Sequence, residues 1–85
     1  MFNLNDAYYA AKVLDVKFDK FPVEEFLDGM NIELEHGIID YKTNVTNDDV
    51  IATAKIALAH LNEFPNYYNS QYGLRMFEEF LKSKL

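Results

Sequence analysis

Only three glycines and two prolines interrupt the 85 residues, and between them apolar side chains recur at helical spacing. Scarce breakers combined with a period near 3.6 residues leave α-helices as the elements this chain can build. Asn5 reads as the N-cap of a first helix, about Asp6 to Leu14, with Asp6 at the positive end of its dipole. Ala7, Ala10, Ala11 and Leu14 fall on one face. The segment from Val16 to Phe21 alternates apolar and charged residues but has no partner strand, so it reads as an extended link pinned by Phe18 and Phe21. Pro22 opens a second helix that runs to about His36, with Glu24 and Glu25 in its first turn. Val23, Phe26, Leu27, Met30 and Leu34 form its apolar face, and Gly37 suits a left-handed position just past its end.

Residues Ile38 to Val45 read as a connecting loop. In Thr46-Asn47-Asp48-Asp49, either Thr46 or Asn47 can cap a third helix whose apolar face is Val50, Ala54, Ala57, Leu58 and Leu61. Phe64-Pro65 stops it, because the residue before proline is pushed out of the helical region. Pro65 or Asn66 starts a fourth helix reaching Lys82, with Leu74, Phe77, Phe80 and Leu81 as its buried stripe. The expected fold is all-α: one domain over residues 1–85, built from about four short helices, the second and third packed as a hairpin.

Composition narrows the function classes. Hydrophobic residues make up 49% of the chain, too many for a disordered acidic tail. The absence of cysteine removes disulfides, thiolate metal sites and a cysteine nucleophile together. Fourteen acidic residues against eight basic ones give a net charge of −6, which argues against direct contact with nucleic acid and for a protein partner. Apolar runs are short and broken by charge, so no membrane contact is expected. The first residues lack the basic flank and apolar run of a secretory signal, which points to the cytoplasm of a bacterium or an infected host cell, or to a virion. No glycine-rich phosphate loop or nucleophile elbow is present, and Asp48-Asp49 reads as a dipole complement at a helix start. The chain is therefore expected not to be an enzyme.

Two patterns stand out as candidate sites. Glu33/His36 and His60/Glu63 are i, i+3 pairs near the ends of the second and third helices, with Glu35 adjacent. Facing each other, they would offer imidazole and carboxylate ligands to a divalent metal such as zinc, iron or manganese. The alternative is plainer: Glu33 lies about 60° from the centre of its buried face and each histidine about 120°, positions suited to hydrogen bonds between helices. In a tight antiparallel hairpin His36 would lie nearer Asp48, Asp49 and Thr53 than His60. Tyrosine is the second pattern: six copies cannot all be interior in so small a core. Tyr67, Tyr68, Tyr72 and Met76 are the expected interface residues. Asn44-Val45-Thr46 fits a glycosylation pattern but is better explained by Thr46 capping a helix.

Three ordered blocks carry a resemblance: Glu33-Leu34-Glu35-His36-Gly37, then Thr43 through Asp49, then Lys55 through Tyr68. Over about residues 17 to 68 the chain resembles a family of small uncharacterised proteins of bacteria, phages and large DNA viruses. Val50 stands where that family usually has proline, and Asn66 where it has an acidic residue. The resemblance implies a helical fold and a prokaryotic or viral setting, and no activity. The resulting expectation is a non-enzymatic accessory protein, associated with phages or viruses, acting by binding another protein or itself, as a virion component or an inhibitor of a host factor. The rival is a metal-binding helical module using Glu33, Glu35, His36, His60 and Glu63.

Overall fold

A computed structural model describes residues 1–39, 41–71 and 73–85. Their secondary structure is helical throughout: α1 (Leu4–Leu14), α2 (Val23–Ile39), a 3-10 turn (Tyr41–Thr43), α3 (Val50–Glu63) and α4 (Leu74–Lys82). The all-α expectation holds. Helices α2 and α3 share the most extensive contact, and α1 packs against both. Ala7, Ala10 and Ala11 are buried on α1, and their small size lets it lie close to its neighbours.

Helix α1 starts earlier than expected. Asn3, not Asn5, is its cap: the Asn3 side chain accepts from the Asp6 amide, and the Asp6 carboxylate accepts from the Asn3 amide. The preceding residue is fixed to α2, where the Asn31 amide accepts from Phe2 N–H at 2.8 Å and donates to Phe2 C=O at 3.2 Å. After α1 the link is pinned as expected. Phe21 is buried, and Phe18 meets the rings of Tyr8, Phe21 and Phe26 edge-on. Those contacts hold Phe18 at φ 55°, a left-handed conformation uncommon for an aromatic residue.

Helix α2 passes through Gly37 and ends at Ile39, so Gly37 is not its terminator. Gly37 is buried inside the helix because the Asn44 side chain lies against it; a Cβ there would stand 2.8 Å from Asn44 Oδ1. Asn44 organises the loop before α3. Its Oδ1 accepts from the Thr46 hydroxyl and the Asn47 amide, and its Nδ2 donates to Asp48. Asn47 and Asp48 are left-handed, which short polar side chains tolerate. Asp49, rather than Thr46 or Asn47, caps α3 by accepting from the Ala52 amide at 2.9 Å. Thr46 is instead buried, with its hydroxyl bonded within the loop.

The largest departure is α4. Pro65 to Tyr68 and Ser70 to Gln71 lie in turns and Gly73 in a bend, so the helix begins at Leu74 and not at Pro65 or Asn66. Gly73 precedes it where a Cβ would run into the Asn66 and Tyr67 carbonyls. Leu74 rests partly against the core. The expected buried stripe does not otherwise form: Phe77, Phe80 and Leu81 are 58%, 55% and 48% exposed. Among the described residues α4 packs against none of the other helices.

Candidate functional site

Gly29 and Glu33 lie one turn apart on the same side of α2. Because Gly29 has no side chain, the ring of Tyr68 lies across the helix there; a Cβ at Gly29 would stand 2.5 Å from Tyr68 Cε2. Lying in this gap, Tyr68 is 2% exposed, and its hydroxyl donates to Glu33 Oε2 at 2.6 Å. The Tyr68 hydroxyl oxygen is 2.8 Å from His60 Nδ1 on α3, and that nitrogen is 3.2 Å from Glu33 Oε2. With the phenolic hydrogen given to Glu33, the hydroxyl oxygen is left as an acceptor. His60 therefore carries its proton on Nδ1, facing two acceptors.

Two further side chains complete the cluster. The turn after α3 places the Tyr67 ring flat against the His60 imidazole, with centroids 4.3 Å apart. On α2, His36 Nδ1 lies 3.6 Å from Glu33 Oε1. Burial, the hydrogen bond to Glu33 and the negative charge of that carboxylate push the Tyr68 hydroxyl far above its ordinary value near 10. Tyr67 is also raised, by burial first and then by Glu33 and Glu78. Both phenols are proton holders at neutral pH.

Of the five expected metal ligands, the structure gathers Glu33, His36 and His60 and leaves Glu35 and Glu63 exposed outside the cluster. Among the described residues no group of three or more His, Cys, Asp or Glu side chains is arranged to hold a metal ion. Glu33 instead serves as a common acceptor for a phenol and an imidazole. The meeting of Glu33 and His60 departs from the tight-hairpin geometry. Helix α2 ends at Ile39 and α3 begins at Val50, a connection long enough to release α3 from that register.

The expected interface residues divide. Tyr68 is a correction: it belongs to the core, because the Gly29 gap accepts its ring and Glu33 and His60 satisfy its hydroxyl. Tyr67 is half-buried on His60, Met76 is exposed on α4, and Tyr72 lies outside the described residues. Sequence reasoning missed the pairing of Gly29 with Tyr68. The available signal was a glycine inside a helix, which costs roughly 1 kcal/mol against alanine and marked no turn.

A model of the family described as Protein of unknown function (DUF5661) matches residues 7–79. The chain belongs to DUF5661. That match spans most of α1, all of α2 and α3 and most of α4, and so contains the whole Gly29, Glu33, His60 and Tyr68 cluster. No curated protein and no solved structure matches the chain. In this DUF5661 domain the cluster ties α2 to α3 through a hydrogen-bonded phenol.

Gly29→Ala should destabilise the domain by about 1–3 kcal/mol through overpacking against Tyr68, less the roughly 1 kcal/mol that alanine gains in a helix. Urea unfolding measures the net loss, and the double variant Gly29→Ala, Tyr68→Leu should lose less than the two single changes added together.

Tyr68→Phe should cost about 1–2 kcal/mol at neutral pH, because Glu33 and His60 lose their shared partner. The folded hydroxyl titrates above its unfolded value, so its contribution is full below pH 10 and falls as pH rises beyond it. The stability gap between wild type and Tyr68→Phe should therefore narrow above pH 10, as denaturant midpoints across that range would show.

Proposed function

We propose that this DUF5661 domain is a non-enzymatic accessory protein of a phage or viral setting, acting by binding another polypeptide chain. A virion component or an inhibitor of a host factor would both act this way. The observation that carries the reading is the uncovered apolar face of α4. Met76, Phe77, Phe80 and Leu81 are each about half exposed on a helix that packs against no other helix among the described residues. Contiguous apolar surface of this kind marks an interaction site more often than a solvated face.

The groove beside α4 extends that surface. It is walled by Phe64, Pro65, Tyr67, Leu74 and Phe77, so the aromatic turn after α3 continues into the helix. Against this, the cluster of Glu33, His60 and Tyr68 is internally bonded, with Tyr67 stacked over His60 and the Tyr68 phenol fully buried. An arrangement that satisfies its own donors and acceptors suits a structural part better than acid–base chemistry, which needs a group poised to exchange a proton with substrate. The resemblance to small proteins of phages and large DNA viruses supports the setting.

A photo-reactive phenylalanine analogue placed at Phe77 tests this reading in cells that make the protein. Cross-linking to a polypeptide is expected from position 77 and not from the same analogue at Lys55, on the outer surface of α3. Equal labelling from both positions, or none from position 77, would overturn the assignment of α4 as the binding face.

A further inference from the structure

Resting on that interaction reading, we propose that the occupant of the α4 face is α4 of a second copy of this chain. Available area is the first argument. A half-exposed phenylalanine offers on the order of 100 Å², so Met76, Phe77, Phe80, Leu81 and the fully exposed Leu85 together offer roughly 500 Å². Phe64, 57% exposed beside the groove, brings this near the ~600 Å² per partner at the lower end of specific interfaces.

Charge is the second argument. Residues 1–72 hold five Lys/Arg against twelve Asp/Glu, whereas residues 73–85 hold three against two. A basic partner would be drawn to the acidic body and not to α4. For two copies of an acidic protein, this segment is the surface that opposes approach least.

The placing of charge within α4 is the third. Glu78 and Lys82, each two positions from Phe80, project from the opposite side of the helix, so pairing through Met76, Phe77, Phe80 and Leu81 buries neither. Lys84, whose ammonium lies 5.3 Å from the centre of the Phe80 ring, closes the end of the stripe.

Sedimentation equilibrium of the purified protein at micromolar concentration should give a mass twice 9.9 kDa, dissociating on dilution. Phe80→Asp should be monomeric with an unchanged thermal midpoint at high dilution, since Phe80 lies outside the core. Wild type that stays monomeric overturns the proposal, as does a dimer indifferent to Phe80→Asp. A monomer whose position 77 still cross-links to a different polypeptide would refute only the second copy as occupant. A monomer that cross-links to nothing would refute the interaction reading as well.

Discussion

The fold depends on one phenol crossing one helix. Tyr68 can reach Glu33 only because Gly29, a turn earlier on α2, presents no side chain. Its hydroxyl then joins α2 to His60 near the end of α3. A phenol buried at this depth would be costly without partners, because an unsatisfied hydroxyl forfeits its hydration. Here Glu33 accepts its hydrogen and His60 donates to its oxygen. The surrounding core is largely alanine on α1 and α3, with Phe26, Met30 and Leu61 supplying volume. Tyr68 is the largest side chain within it.

This lock also explains why α4 stands apart. Once the turn after α3 has committed Tyr68 to α2 and Tyr67 to His60, the chain has completed the core before α4 begins. Gly73 turns it sharply against the Asn66 and Tyr67 carbonyls, and only Leu74 reaches back to the packed interior. Among the described residues no other helix covers Met76, Phe77, Phe80 and Leu81. Small domains gain much by burying such residues against another chain, because their own cores are limited. The proposed interaction and the proposed self-pairing of α4 both rest on that exposure.

Helix content was legible in the sequence because periodicity survives the details of packing. The faces read for α1, α2 and α3 are largely those that are buried: Ala7, Ala10 and Ala11; Phe26, Met30 and Leu34; Ala54, Ala57 and Leu61. Terminators were less legible. Gly37 looks like a C-terminal glycine, yet it is needed for the approach of Asn44, and close approach leaves no periodic trace. In α4 the stripe was correctly apolar but wrongly interior, because periodicity identifies a sticky face without saying what covers it. The site was half legible. Helical angles placed Glu33 and His60 at boundary positions suited to interhelical hydrogen bonds, and they meet there. Tyr68 was misplaced because a helix extended back to Pro65 would turn it outward, whereas the observed turn directs it into the gap at Gly29.

Amide hydrogen exchange along the chain, measured at high and low protein concentration, compares the locked core directly with the helix outside it. Amides of α1, α2 and α3 should exchange by global unfolding at both concentrations. Those of α4 should be weakly protected in dilute protein and gain protection as the concentration rises. Protection of α4 equal to that of the core in dilute protein would contradict the account, since the helix would then be held by its own chain.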